Sequence, residues 1–117
     1  MPATVIMVHD DPSFVEEAAT ALRSAGHDIV TFADPTQALT ALENRPFEIL
    51  VTRVRFPAGQ PNGVALARMA RLKRPGIEVL FTVAAENIEY TEGLGEFVAA
   101  PIDIRELVAM VNKLAVS

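Results

Sequence analysis

The chain repeats one short arrangement, in which an apolar segment is followed by a helix-start signal. Residues 3–8, ATVIMV, are apolar and rich in β-branched side chains, and Asp11-Pro12 comes just after them. Residues 27–32, HDIVTF, are followed in the same way by Asp34-Pro35. Aspartate caps the first turn of a helix, and proline is favoured at the first helical position. The repeat therefore predicts a strand followed by a helix, twice in succession.

The same alternation continues to the end of the chain. Further strands are predicted over residues 47–52, 77–83 and 96–99, and further helices over about 64–73 and 86–92 and from Asp103 onwards. Strands that alternate with helices through short turns form a parallel sheet with helices on both faces. We therefore expect one doubly wound α/β domain that spans residues 1–117.

Ligands of such sheets gather at the carboxyl ends of the strands. The residues to weigh are those just past each strand, namely His9, Asp10, Asp11, Arg53, Thr82, Ala100 and Pro101. Arg53 is the unexpected member, because arginine is seldom buried without a partner.

Composition argues against several classes of protein. The net charge is −5. There is no cysteine, so thiolate chemistry and disulfides are excluded. The most basic segment, residues 68–74, is interpreted as the solvated face of a helix with Leu72 turned inward. No apolar run is long enough for a membrane span. We expect a cytoplasmic domain that itself contacts neither nucleic acid nor membrane.

Four motifs occur in order along the chain: VHDDP (8–12), RVRFP (53–57), LFTVA (80–84) and FVAAP (97–101). Together they resemble the receiver domain of bacterial two-component response regulators, over nearly the whole length. The resemblance implies a flavodoxin-like sheet of strand order 2-1-3-4-5. In that family acids bind Mg²⁺, an aspartate after strand three accepts a phosphoryl group, and a Thr or Ser and a Lys contact it.

Three positions depart from the pattern that this resemblance implies. Arg53 stands at the phosphoacceptor position, Ala100 at the lysine position, and His9 at the first of the paired acids. Asp10 keeps the second acid, and Asp11 falls where a further acid is frequent. The sequence thus predicts a degenerate phosphorylation pocket, a pseudo-receiver.

Other positions match the family. Thr82 corresponds to the switch threonine, Phe97 to the switch aromatic, and Pro101 to the proline after the lysine. Thr82 and Ala100 are 18 residues apart, from 100 − 82. This is shorter than the family usually allows by about one helical turn, ~4 residues, so we expect a shortened fourth helix.

Arg53 cannot do the chemistry of an acceptor aspartate. Phosphoryl transfer to a receiver needs a carboxylate nucleophile and a divalent cation on oxygen ligands, whereas a guanidinium stays positively charged. We expect the guanidinium to take the place of the cation and to pair with Asp10. No catalytic residue, no cofactor and no metal are expected. If Mg²⁺ bound at all, Asp10 and Asp11 would be its ligands.

Several pocket residues have a simpler interpretation beside the functional one. His9 fills a loop edge rather than acting as a metal ligand or pH switch, and Asp11 is an N-cap. Thr82 either satisfies backbone groups or retains a switch role. Phe97 is interpreted as a core residue, and Arg55 as a solvated charge.

The main functional hypothesis is a signalling module without catalysis, which binds a protein partner independently of phosphorylation. The partner would be a histidine kinase, an output domain or another signalling protein. A homodimer through the last helix stays open, because periodicity does not divide its face between core and interface. The alternatives are a phosphorelay receiver with an unusual acceptor and a small flavodoxin-type ligand binder.

Overall fold

A computed structural model describes residues 2–56 and 62–116 and contains one five-stranded parallel sheet. The strands are β1 (Thr4–Val8), β2 (Asp28–Phe32), β3 (Ile49–Arg53), β4 (Glu78–Val83) and β5 (Glu96–Ala99). The helices are α1 (Pro12–Ser24), α2 (Pro35–Asn44), α3 (Gly63–Lys73) and α4 (Ile104–Ala115), and a 3₁₀ helix (Ala85–Thr91) precedes β5. The strand order is β2-β1-β3-β4-β5, so the predicted flavodoxin-like order is confirmed.

The two Asp-Pro signals begin helices as predicted. The Asp11 carboxylate accepts hydrogen bonds from the backbone N–H groups of Ser13 and Phe14, at 3.1 and 3.4 Å. Asp34 caps α2 by accepting from Thr36 N–H at 2.8 Å, and Asp103 caps α4 in the same manner. These caps satisfy backbone donors that have no partner inside the helix.

The sheet separates two apolar layers, because successive side chains of a strand point to opposite faces. One layer joins α1 and α4 to the sheet through buried residues that include Val5, Met7, Leu22, Val51, Leu80, Leu107 and Val111. The other joins α2 and α3 to the opposite face through residues that include Ile6, Val8, Leu42, Leu50, Leu66, Ala70 and Phe81. Both layers leave the carboxyl edge of β1, β3 and β4 open to polar side chains.

The segment between β4 and β5 is shorter than a normal helix of this fold, as its spacing predicted. It is a 3₁₀ helix of 7 residues, Ala85–Thr91. Its last residue, Thr91, is buried and donates its hydroxyl hydrogen to the carbonyl oxygen of Ile88 at 2.7 Å. A 3₁₀ helix is tighter than an α-helix and is used in short pieces.

Leu72 does not turn inward, so that prediction is wrong. The side chain is 82% exposed. The buried side of α3 is formed by Leu66, Ala67 and Ala70. Leu72 follows Ala70 by two residues, or about 200° around the helix, which places it on the outer side.

Part of the predicted loop after β3 falls outside the described residues, namely Pro57, Gly59 and Pro61. Of the residues described, Asn62 begins the next element by accepting a hydrogen bond from Ala65 N–H at 2.8 Å. In the described part of the chain, no helix is both long and apolar enough to cross a membrane.

Candidate functional site

The register of the sheet gathers the predicted pocket residues at one edge. Val8, the last residue of β1, pairs with Thr52, and Arg53 pairs with Thr82 across β3 and β4. His9, Asp10 and Asp11 follow β1 directly. Arg53 therefore lies between the acidic turn after β1 on one side and Thr82 on the other.

Arg53 pairs with Asp10, as predicted. A guanidinium nitrogen, Nη1, lies 2.6 Å from Oδ1 of Asp10, and the two side chains are 36% and 29% exposed. The hydrogen bond is charge-assisted and short. Because water still reaches both groups, its net contribution to stability is modest.

The pair changes the acidity of Asp10. Partial burial raises the pKa of the Asp10 carboxyl, but the hydrogen bond from Arg53 opposes it, together with a backbone hydrogen bond and the charges of Arg53 and His9. The net result is a pKa below the ordinary value of an aspartate. The carboxylate is therefore ionised and forms an ion pair with the guanidinium of Arg53.

His9 is held in place by the turn that contains it. Its Nδ1 accepts a hydrogen bond from Asp11 N–H at 3.1 Å, and its ring lies 4.5 Å from the ring of Phe14, centroid to centroid. Burial and the nearby charge of Arg53 lower the pKa of the imidazole, against the opposing charges of Asp10 and Asp11. A neutral ring that accepts at Nδ1 fits the interpretation of His9 as a residue of the loop edge.

Asp11 serves as an N-cap, as predicted. Its Oδ1 is shared by two backbone N–H donors of α1. In the described ranges, 2–56 and 62–116, no group of three or more His, Asp or Glu side chains is arranged to hold a metal ion.

Thr82 does not satisfy backbone groups at the strand end, so that interpretation is wrong. The residue is 5% exposed, and its hydroxyl has no hydrogen-bond partner among the described residues. Other atoms of Thr82 line a cleft of about 140 Å³ together with Arg53, His9 and Ala100, while the hydroxyl oxygen itself is buried.

Ala100 and Phe97 occupy the β5 side of this edge. Ala100 is exposed, its N–H donates to the carbonyl oxygen of Val83 at 2.7 Å, and its bond to Pro101 is cis. Phe97 is 39% exposed, so its interpretation as a core residue is wrong. Its partner in the ladder, Phe81, is fully buried on the interior strand β4. Phe97 is exposed because β5 is the edge strand and has no neighbour beyond it.

The contacts of two residues near the site, Arg55 and Gly63, were not foreseen from the sequence. Arg55 donates through Nε to Asn87 Oδ1 at 3.4 Å, and its guanidinium lies 5.7 Å from the centroid of the Tyr90 ring. It is exposed but not simply solvated. Gly63 packs so tightly that a Cβ there would meet the Arg53 carbonyl oxygen at 1.8 Å. The Asn62-Gly63 pair at the start of α3 was the available signal for this close approach.

Comparison with known proteins agrees with the fold. The model of the response regulator receiver domain matches residues 5–112. The chain belongs to this family. It is a receiver domain of the type used in two-component signalling.

Among curated relatives, this receiver domain is 30% identical to the "Probable transcriptional regulatory protein TcrX" of Mycobacterium tuberculosis, over 97% of the chain and 50% of TcrX. It is 28% identical to the DNA-binding transcriptional regulator NtrC of Salmonella typhimurium, over 93% of the chain and 24% of NtrC. The chain thus spans half or less of the length of these relatives.

Solved structures show the same fold. The Francisella response regulator 1452 receiver domain superposes with a TM-score of 0.84 at 21% identity, over 96% of this chain and 95% of that one. The chemotaxis protein CheY4 of Vibrio cholerae gives a TM-score of 0.84 at 19% identity, over 97% and 99% of the two chains.

Proposed function

We propose that this receiver domain has lost aspartyl phosphorylation and works as a protein-interaction module that does not depend on a phosphoryl group. One observation carries the proposal, the 2.6 Å contact between Arg53 and Asp10 at the end of β3. A guanidinium stands where the resemblance places the acceptor carboxylate. It is neither a nucleophile for phosphoryl transfer nor able to lose its charge at any relevant pH.

The neighbouring side chains do not replace the acceptor. Thr52 is buried on the opposite face of the sheet, where its hydroxyl donates to the Arg53 carbonyl oxygen at 2.9 Å. Thr82 lies on the correct edge, but its hydroxyl has no basic partner among the described residues. A hydroxyl without a base is a weak nucleophile. The alternative of an unusual acceptor therefore lacks a candidate group.

The donor set also fits Mg²⁺ poorly. Mg²⁺ requires near-octahedral oxygen ligands. Asp10 is engaged by a cation already, Asp11 is engaged by the N-terminus of α1, and His9 presents an imidazole instead of a carboxylate. We propose that the guanidinium of Arg53 takes the place of the metal ion.

The proposed role is in signalling, and no catalytic activity is assigned. Receiver domains of response regulators interact with kinases and output domains. TcrX and NtrC carry names of transcriptional regulators, and this domain matches only a part of each. We therefore propose a protein partner of this kind, a histidine kinase or an output domain, and leave a homodimer as the second arrangement to test.

The experiment is intact mass after incubation with a small-molecule phosphodonor and Mg²⁺. We expect that the native chain gains no phosphoryl group, because no carboxylate stands at the end of β3. Arg53→Asp restores the acceptor, and Arg53→Asp combined with Ala100→Lys restores the lysine as well. One of these variants is expected to gain a single phosphoryl group.

Arg55→Asp is the matched control, since it makes the same change of charge two residues away on an exposed side chain. It should stay unmodified, as the native chain does. Thermal melting of each variant confirms that it is folded before the mass is interpreted. A phosphoryl group on the native chain would contradict the proposal and would identify the residue that carries it.

A further inference from the structure

Helix α3 and the neighbouring 3₁₀ helix carry opposite charges. Residues 63–74, which are α3 and its C-cap, contain four cationic side chains and no acidic one, namely Arg68, Arg71, Lys73 and Arg74. Residues 85–92, which are the 3₁₀ helix and its C-cap, contain three acidic side chains and no cationic one, namely Glu86, Glu89 and Glu92. We call these two segments the basic strip and the acidic strip.

The two strips lie side by side on one face of the domain. Leu66 of α3 and Ile88 of the 3₁₀ helix belong to the same apolar layer on one side of the sheet. The strips flank a common cleft of about 540 Å³. The side chains of the strips that line this cleft are Val64, Arg68, Glu89, Tyr90 and Glu92. The basic and the acidic strip are therefore neighbours with a gap between them.

The charges of the two strips do not pair with each other within the chain. Arg68 and the three glutamates are exposed, and among the described residues no hydrogen bond or ion pair engages their side chains. Lys73 pairs instead with Glu43 of α2 at 3.5 Å, and Arg71 donates to the carbonyl oxygen of Ile77 at 3.2 Å. Arg68 and the acidic strip thus keep their charges for a second molecule.

The same face also exposes apolar side chains. Five large apolar residues are exposed in the described part of the chain, and three of them, Met69, Leu72 and Tyr90, lie on the two strips. Tyrosine and methionine are enriched at protein interfaces. The face therefore offers both apolar contact area and charges that can orient a partner.

The order of the strips makes the face complementary to itself. A two-fold dimer uses the same surface of both copies, so that residue i contacts residue j and residue j contacts residue i. A two-fold axis along the cleft places α3 of one copy on the 3₁₀ helix of the other, twice. Each Arg68 then faces glutamates of the other copy, and the two basic strips do not meet.

We infer that a second copy of this chain docks on the face formed by α3 and the 3₁₀ helix, with the basic strip of each copy against the acidic strip of the other. Opposite charges across an interface fix its register and suppress wrong partners. The inference deepens the proposed function, on which it rests, because it names the partner of the interaction module. Neither the pocket of Arg53 nor α4 is part of this face.

Analytical ultracentrifugation of the native chain at about 0.1 M and about 1 M salt measures the association. Charges act over about 10 Å at the lower salt and about 3 Å at the higher. At the lower salt we expect a mass that rises with concentration to twice 12.6 kDa and no further, because a two-fold contact closes on itself. The dimer should weaken at the higher salt.

Two results with the native chain would overturn the inference. A mass that keeps growing with concentration would show a head-to-tail contact. A chain that stays monomeric up to about 1 mM would leave the face to a different protein.

Charge reversal tests which strips meet. Arg68→Glu and Glu89→Arg should each weaken the dimer about tenfold or more, because like charges then oppose each other in both halves of the contact. Net charge alone predicts the opposite for Glu89→Arg, since it reduces the charge from −5 to −5 + 2 = −3. Mixed in equal amounts, the two variants should form a heterodimer about as tight as the native dimer. One half of its contact is reversed in sign and the other half is native.

Arg105→Glu on α4 and Glu17→Arg on α1 are the matched controls. They make the same two changes of charge at exposed positions of the helices that cover the opposite side of the sheet. Both should dimerise as the native chain does. Controls that weaken the dimer as strongly as the test variants, or a mixture that fails to associate, would contradict the arrangement. Association of the mixture also shows that both test variants are folded.

The two proposals fail separately. Mass measured on the denatured chain reports only a covalent phosphoryl group, whereas ultracentrifugation reports reversible association. A phosphorylated native chain would contradict the proposed function whatever its oligomeric state. An unmodified chain that does not dimerise would contradict the self-docking face alone.

Discussion

At the scale of single residues, the pocket is organised by one pair of opposite charges. Arg53 presents a fixed positive charge to Asp10, and the Asp10 carboxyl has a lowered pKa. The contact could be anticipated from the sequence, because β1 and β3 are neighbours in the predicted strand order. Asp10 follows β1, and Arg53 ends β3. The unpartnered state of Thr82 could not, because it depends on which backbone groups the ladder leaves free.

The lowered pKa of Asp10 gives the pair a signature in pH. The folded protein holds its Asp10 proton less tightly than the unfolded chain, so the stabilisation is present above the ordinary aspartate pKa, about 3.9. It is lost as the pH falls through the folded value. We expect Asp10→Asn to be less stable than the native chain near neutral pH. We expect this difference in stability to disappear at pH values below the folded pKa of Asp10.

Urea unfolding of both proteins across the acid range measures the difference. The same comparison in an Arg53→Gln background is the control, and there the pH dependence of the difference should shrink. An undiminished dependence without Arg53 would show that another group lowers the pKa of Asp10. Because both partners are about one-third exposed, the effect near neutral pH should stay within about 1 kcal/mol.

At the scale of elements, the sequence was most informative where a local rule decides the structure. The Asp-Pro pairs fixed the starts of α1 and α2, and the short spacing before β5 indicated a reduced helix. It was least informative about the outer surfaces. Leu72 and Phe97 are apolar residues in regular elements, and only the position of α3 and the edge position of β5 leave them exposed.

A substitution at Gly63 tests how closely α3 approaches β3. A Cβ at Gly63 would lie 1.8 Å from the Arg53 carbonyl oxygen, so Gly63→Ala forces α3 and β3 apart. Overpacking of this kind costs about 1–3 kcal/mol. Gly76→Ala is the matched control, since a Cβ there meets nothing within 4 Å and should change stability little. Equal stability of the two variants in urea unfolding would contradict the close approach.

Phe97 and Phe81 form a second matched pair, because they are register partners on the neighbouring strands β5 and β4. Phe81 is fully buried, and its replacement by alanine should cost about 3–5 kcal/mol. Phe97→Ala should cost less than about 1.5 kcal/mol, since the side chain is 39% exposed. Comparable losses for the two variants would return Phe97 to the core.

At the scale of the whole molecule, both ends of the sheet are joined to helices by polar contacts. At the edge opposite the pocket, His27 is buried, accepts from Ala3 N–H at its Nδ1 at 3.1 Å, and contacts Asn112 Oδ1 through Nε2 at 2.7 Å. The contact with Asn112 links the residue before β2 to α4 over 85 positions of sequence, and no local pattern predicts it. At the pocket edge, the pair of Arg53 and Asp10 joins β3 to the turn before α1.

At this scale we expect that the receiver domain keeps one state whether or not Mg²⁺ and a phosphodonor are present. The most direct test is a set of ¹H–¹⁵N spectra of the native chain with Mg²⁺ alone, and with Mg²⁺ and a phosphodonor that releases no free phosphate within the recording time. We expect the amide signals of β4, the 3₁₀ helix and β5 to stay where they are without additions, while the Arg53→Asp chain responds to Mg²⁺. Concerted shifts of these elements in the native chain would contradict the account, because they would show that the pocket still accepts the metal or the phosphoryl group.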